Sequence, residues 1–429
     1  EDIAAHVDHE YSRQRYWPEP LIQINPNYQK ANNIKELVDE GMLHPLCKEI
    51  FSFKDEHGIQ EPLRLFQHQQ QALSKAANSE SYVVTTGTGS GKSLAFFIPI
   101  IDSVLKGKQS DKEPRTRAII IYPMNALANS QLEEIHKFLG NLGEGQNQLT
   151  VGRYTGQESS SERDYIAQNP PDILLTNYMM LELILTRYEE VDRRVVSNCK
   201  GLEFLVLDEL HTYRGRQGAD VALLVRRLRE RFDADRMICI GTSATMSSTG
   251  SSEDRKATVA EVASKLFGQF IPPANVIAET LERATDKHLS LDSIKPQLEE
   301  VIEKSSYTWG SLDEFMQHPL SVWVELTLGL QLSEDNAPER AKPKSLSEAA
   351  DLLAKDAGVD TPQARESLEA FLLSAQSLKT SDGRSTFAFK LHQFISGPGK
   401  VLCTLEGDNK RVITLDSQRY APSRQDECV

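Results

Sequence analysis

Two clusters of residues in the sequence have the types and spacing to work on a nucleotide. The first is Thr86-Gly87-Thr88-Gly89-Ser90-Gly91-Lys92-Ser93, which follows the apolar, β-branched run Tyr82–Thr85 and precedes a helical pattern at 93–105. Glycines let a backbone curl until successive N–H groups point inward, and a following helix adds its positive end, so this order of strand, loop and helix suits phosphate. Lys92 is then placed to reach β- and γ-phosphates, and the Ser93 hydroxyl to ligate Mg²⁺. ATP and Mg²⁺ are the expected ligands. The strict spacing of such loops asks for glycine where Thr86 stands.

The second cluster is Asp208-Glu209-Leu210-His211, delivered by the apolar run Phe204–Leu207. Doubly wound sheets bind ligands at the carboxyl ends of their strands, where these two acids should lie. Asp208 is expected to hold Mg²⁺ and Glu209 to orient and deprotonate an attacking water, because phosphoryl transfer depends on positioning more than on covalent chemistry. No second histidine or cysteine sits at ligand spacing beside His211, so it is not expected to bind metal.

The elements that must carry these residues form a pattern. Short apolar runs at 82–85, 118–122, 172–176, 204–207 and 237–240 alternate with helical stretches at 93–105, 126–139 and 220–231. Continuous apolar runs are the mark of parallel strands buried on both faces, and alternation with helices implies βαβ units. The expected fold is therefore α/β, a doubly wound parallel sheet over 61–272. A lead-in at 1–60 and a mainly helical region at 273–429 flank it. Within the latter, 274–305 reads as helical, 333–345 as an exposed loop, and helices at 347–357 and 362–375 followed by a turn and a hairpin at 385–389 suggest a winged helix over 345–395.

The chain has 429 residues, enough for roughly two or three domains. Its longest apolar run, Leu94 to Ile101, is too short to cross about 30 Å of hydrocarbon, so no membrane association is expected. Five scattered cysteines without a CxxC pair favour a reducing, cytoplasmic setting and simple thiols over a zinc site. The net charge of −14 argues against bulk electrostatic attraction to nucleic acid but leaves room for a local groove. Arg226, Arg227, Arg229 and Arg231 read as a solvated helix face, with contact to a DNA backbone as the alternative. The missing initial methionine and acidic start predict a piece of a longer protein.

With the phosphate loop, Asp208-Glu209-Leu210-His211 resembles the DExH box of superfamily 2 helicases, and further motifs follow in order over about 62–250. Phe66-Gln67-His68-Gln69 is similar to the segment ahead of the loop, which implies that Gln69 reads the adenine edge and Phe66 stacks on the base. Tyr122-Pro123-Met124-Asn125-Ala126-Leu127 resembles motif Ia, Tyr154-Thr155-Gly156 the next strand-contacting turn, and Thr176-Asn177-Tyr178 motif Ib. These imply that Pro123, Asn125, Ala126, Thr155, Gly156, Thr176 and Asn177 meet nucleic acid. Backbone N–H groups and hydroxyls such as those of Thr155 and Thr176 can bond phosphate oxygens without reading bases. Gly241-Thr242-Ser243-Ala244-Thr245 resembles motif III, which implies coupling of the two ligand sites through Ser243, Ala244 and Thr245, with His211 as the link.

The run from Asp208 through Arg214-Gly215-Arg216-Gln217-Gly218 to Arg229 resembles a narrower branch, the mitomycin-repair and Hrq-type DNA helicases and the large helicases of anti-phage systems such as Druantia and DISARM. The resemblance implies a RecA-like first lobe acting on single-stranded or partly duplex DNA. It also implies a second RecA-like lobe with arginine fingers, whose motif is absent from 250–429 and is expected downstream, and partner proteins in a defence system. The stretch 389–394, with Gly397 and Gly399, resembles the insertion ahead of that lobe. Alone, the chain should hydrolyse ATP poorly. An ATP-gated scaffold and an RNA helicase remain open.

Overall fold

The computed structural model describes residues 2–12, 18–54, 59–87, 89–143, 149–244, 251–304, 307–332, 338–376, 378, 387–394, 402–403 and 413–414. Thr88, Thr245, the turn at 381–383, Gly397, Gly399 and Cys428 lie outside the described residues. The chain divides into two compact units, Tyr28–Thr280 and a second built from Glu1–Asn27 with Leu281–Val429.

The unit Tyr28–Thr280 is built on a seven-stranded sheet, the α/β architecture expected from the alternating runs. Its strands lie in the order Val276–Ala278, Tyr82–Thr85, Ile238–Ser243, Phe204–Leu207, Ala118–Tyr122, Ile173–Asn177, Val151–Tyr154. Every neighbouring pair is parallel. Alternate residues feed opposite layers, as the period of two requires. Val84, Ile120, Leu175, Val206 and Ile240 pack beneath helices Gln67–Ala77, Leu94–Ser110 and Asn125–Leu139. Val83, Ile119, Leu174, Leu205 and Cys239 pack beneath Tyr178–Thr186, Glu190–Asn198, Gly215–Arg231 and Ser252–Phe267.

The limits of this unit differ from the expected 61–272. Strand Lys30–Asn33 pairs antiparallel with Arg64–Phe66, and Ile34, Leu37 and Phe51 join the core, so the second half of the supposed lead-in belongs here. At the other end Val276–Ala278, read as helical from its charged surroundings, adds an edge strand beside Tyr82–Thr85. A three-residue edge strand leaves too short an apolar run to be told from a helix segment by pattern.

In the second unit, helices Leu291–Lys304, Pro319–Val324, Leu346–Ala357 and Thr361–Gln376 pack around fully buried Trp323, Phe315 and Phe371. The module expected over 345–395 does not close on itself. Its strand Ala388–His392 pairs with Leu21–Asn25, which also pairs with Lys344–Ser345, so the N-terminal strand is the centre of a three-stranded sheet. The expected exposed loop likewise contains a strand, Pro338–Arg340, paired with Leu330–Leu332.

No helix among the described residues is long and apolar enough to cross a membrane. Cys47, Cys199 and Cys239 are buried free thiols, and Cys403 is a half-buried one. Burial raises the thiol pKa of Cys199 and Cys239 to about 12, which leaves both protonated and unreactive at neutral pH. Three of the four arginines tie their helix to neighbours: Arg226 donates to the carbonyls of Ala222 and Lys265, Arg227 pairs with Glu182, and Arg229 donates to Phe267 O and Gln269 Oε1.

Candidate nucleotide and nucleic-acid sites

The phosphate loop leaves Tyr82–Thr85 at the carboxyl end of the sheet and enters helix Leu94–Ser110 through Ser93. Its shape is held from several sides. The Thr86 and Ser90 hydroxyls bond each other across the loop at 2.6 Å, which explains a threonine where glycine is usual. His68 Nε2 lies 3.1 Å from Ser90 O, Gln69 Nε2 donates to Gly91 O at 3.0 Å, and Gly87 N–H donates to Glu279 Oε2 at 3.0 Å. Gly91 has φ +68°, and a Cβ there would come 2.7 Å from Gln69 Nε2, so both backbone angle and space require glycine.

Gln69 is buried, and its other end accepts the Phe66 N–H at 2.9 Å. Each end of its amide thus has a partner in the protein, which shapes the loop and leaves a second N–H and a second lone pair on the amide. Phe66 sits with Tyr28 and His68 in a ring cluster whose centroids are 5.1 to 5.8 Å apart. Tyr28 escaped the sequence reasoning, since an aromatic in a short strand carries no signal of its own. Burial lowers the His68 pKa to about 4, so its ring is neutral at physiological pH.

The acidic box faces this loop. Lys92 Nζ lies 3.4 Å from Glu209 Oε1, with both side chains largely buried. Strand Ile238–Ser243 runs between the loop strand and the acidic strand, so Thr242 emerges beside both acids. Its hydroxyl donates to Asp208 Oδ1 and accepts the Glu209 N–H at 3.1 Å. Glu209 adopts a left-handed backbone, φ 54° and ψ 57°, a costly state for a residue with a side chain. It persists because Thr242 fixes its N–H while Thr212 N–H and Oγ1 both donate to its carbonyl at 2.8 Å. Burial raises the Asp208 pKa, the neighbouring Glu209 charge adds to this, and the Thr242 bond and Lys92 oppose it. A buried carboxylate whose charge is under-compensated fits a cation ligand.

His211 Nδ1 lies 3.2 Å from Glu209 Oε2 and 3.4 Å from Ser243 Oγ, and Ser243 Oγ donates to Ala244 O. The structure thus joins two of the three expected coupling residues to the acidic box. Thr242 was quoted in the motif but given no role. Only strand order reveals one.

The expected nucleic-acid residues gather at the carboxyl ends of the adjoining strands Ala118–Tyr122, Ile173–Asn177 and Val151–Tyr154. Asn177 Nδ2 donates to Asn125 Oδ1 at 2.7 Å and to Thr155 O at 3.0 Å, while its Oδ1 caps the following helix at Met180 N. Pro123 is half-buried, and Ala126 lies exposed on the first turn of helix Asn125–Leu139. Thr176 departs from expectation: it is wholly buried and donates to Tyr154 O at 2.6 Å, so its hydroxyl has no access to a phosphate. Strand alternation turns it inward. Thr155 and Gly156 direct their N–H groups at Glu158 Oε2, at 2.8 and 2.9 Å.

Residues 66–252 match the family model for the DEAD/DEAH box helicase. Among curated proteins, the chain is 25% identical to the Druantia protein DruE of Escherichia coli (strain UMEA 4076-1), over 92% of this chain and 28% of that protein. It is 31% identical to the uncharacterized ATP-dependent helicase YprA of Bacillus subtilis (strain 168), over 52% of this chain and 27% of that protein. It is 30% identical to the ATP-dependent helicase HRQ1 of Saccharomyces cerevisiae (strain ATCC 204508 / S288c), over 44% and 16%. The chain thus spans under a third of each of these relatives. Among solved structures, it resembles the DUF1998 helicase MrfA bound to DNA with a TM-score of 0.44 and 19% identity, over 71% of this chain and 41% of that one.

Proposed function

We propose, from the match of residues 66–252 to the family model for the DEAD/DEAH box helicase, that the chain carries the ATP-binding RecA-like lobe of a helicase or translocase that moves on single-stranded or partly duplex DNA. The setting proposed is anti-phage defence or DNA repair, in a cytoplasmic machine with partner proteins of the same system. The observation that carries this is the meeting of Lys92 and Glu209 at 3.4 Å beneath a phosphate loop, with Thr242 fixing Asp208 beside them.

The loop N–H groups from Gly87 to Ser93 and Lys92 bind the triphosphate. Ser93 and Asp208 would hold Mg²⁺, which would supply neutralisation of phosphate charge. Glu209 leaves Lys92 when phosphate takes its place and orients the attacking water, accepting its proton. His211 and Ser243 carry the change towards motif Ia and its neighbours, with Ala244 and Thr245 completing the coupling. Phosphates of one strand lie along Pro123, Asn125, Ala126, Thr155, Gly156 and Asn177, met by backbone and amide groups that do not read sequence. Asn177 acts there by fixing the other two loops. We assign the arginine fingers to a second RecA-like lobe outside these residues.

The test is DNA-stimulated ATP hydrolysis by the full-length protein. Lys92→Ala and Glu209→Gln should each lower turnover by about 100-fold or more, the scale for losing a charge-stabilising or water-orienting group. Parent-like turnover by either variant would overturn the assignment. The same assay with RNA in place of DNA checks the substrate.

A further inference from the structure

The turn after strand Val151–Tyr154 is a built anion site with its own occupant. Gly156 has φ +87°, a conformation that turns its N–H and that of Thr155 towards one point, the arrangement of an anion-binding nest. Both donate to Glu158 Oε2. The second oxygen, Oε1, accepts the Thr155 hydroxyl at 3.0 Å and the Arg153 guanidinium at 2.8 Å. The carboxyl side chain is only 4% exposed, while Gly156 itself faces solvent. The carboxylate thus draws on two backbone amides, a hydroxyl and a guanidinium, the donor set that a phosphodiester would use. The same turn is tied by its Thr155 carbonyl to Asn177, and through it to Asn125, so the nest lies in line with the other proposed strand contacts.

We propose that Glu158 is an internal stand-in for a nucleic-acid phosphate: its carboxylate fills the Thr155–Gly156 nest until a backbone phosphate displaces it, and it thereby sets the affinity and salt dependence of strand binding. This rests on the nucleic-acid face proposed above. Two anions cannot share two N–H donors, so a phosphate entering the nest drives Glu158 into solvent, and Arg153 is then released from the carboxylate to meet the same phosphate. A strand must therefore compete with an intramolecular ligand, which weakens loose encounters more than fully seated ones.

The experiment is fluorescence anisotropy of a labelled oligo-dT strand with the 429-residue chain across a salt series. Glu158→Gln and Glu158→Ala are compared with parent, and melting temperatures are recorded. Either neutral variant should bind about threefold tighter or more at low salt, the scale of one ion pair beside a solvent-facing turn. The slope of log affinity against log salt should steepen by roughly 0.7, one added phosphate charge on a single strand. Glu158→Asp, which keeps the charge, should not tighten binding. Unchanged or weaker binding by folded neutral variants overturns the proposal and leaves the nucleic-acid face standing. Loss of fold in both shows that the carboxylate is a structural brace and overturns it too. Absence of strand binding by the parent chain overturns that face and this proposal together.

Discussion

The two ends of the candidate site solve opposite problems with neighbouring strand ends. At the phosphate loop, charged side chains from different strand ends meet: Lys92 lies against Glu209, and Asp208 is braced by Thr242. At the Thr155 edge, side chains point at one another. Asn177 binds Asn125 and the Thr155 carbonyl, Thr176 turns inward to Tyr154, and what faces outward is backbone. The difference teaches that matching motif letters mean different things in the two places. In the first, the letters name charged side chains proposed to act on a ligand. In the second, they name residues that shape the loops whose amides act. Each end also carries a carboxylate from elsewhere on its amides, Glu279 on Gly87 and Glu158 on Thr155 and Gly156.

The comparison can be broken most severely at Thr242, the neutral side chain that touches both acids at the charged end. Thr242→Val keeps the shape but leaves Asp208 Oδ1 and the Glu209 N–H without their shared hydroxyl. ATP turnover should fall by about 10- to 100-fold, the scale for misplacing a catalytic group, while Thr242→Ser should recover most of it. Equal turnover by the valine variant would place the control of Glu209 elsewhere.

A smaller effect tests whether the charged end is built for a ligand at the expense of stability. Asp208 has a pKa raised above its ordinary 3.8 by burial, so folding favours its protonated form. The cost of the ionised form is absent below the unfolded value and develops as pH rises through the folded one. Asp208→Asn should therefore melt at least about 2 °C higher than parent at pH 7 without added divalent cation, and the gap should close as pH falls towards 4. A variant that melts lower at pH 7 would mean that Lys92 and Thr242 already compensate the charge.

Much of the charged end was legible in the sequence because its parts are local. A loop between a strand and a helix carries Lys92, and an apolar strand delivers Asp208 and Glu209, whatever the rest of the chain does. The role of Thr242 depends on its strand sitting between those two, which is a matter of sheet order and not of spacing. Glu279 reaches Gly87 from 192 residues away, and Tyr28 reaches Phe66 through an antiparallel pairing that no run of apolar residues announces. For the same reason the unit begins at Tyr28 and ends at Thr280, and a winged helix read from 345–395 lacked its central strand, which comes from Leu21–Asn25. Thr176 was misjudged because a motif gives identity, whereas access depends on which face of the strand the residue takes.

The central claim is that the loop around Lys92 holds the phosphates of ATP. Its most direct test is equilibrium titration of the 429-residue chain with a fluorescent ATP analogue and Mg²⁺, for parent, Lys92→Ala and Glu209→Gln. Parent should bind saturably, Lys92→Ala should lose about 10-fold or more in affinity with the loss of a charged phosphate contact, and Glu209→Gln, in which a carboxylate that competes for Lys92 is neutralised, should keep or improve it. Equal affinity of parent and Lys92→Ala would contradict the claim.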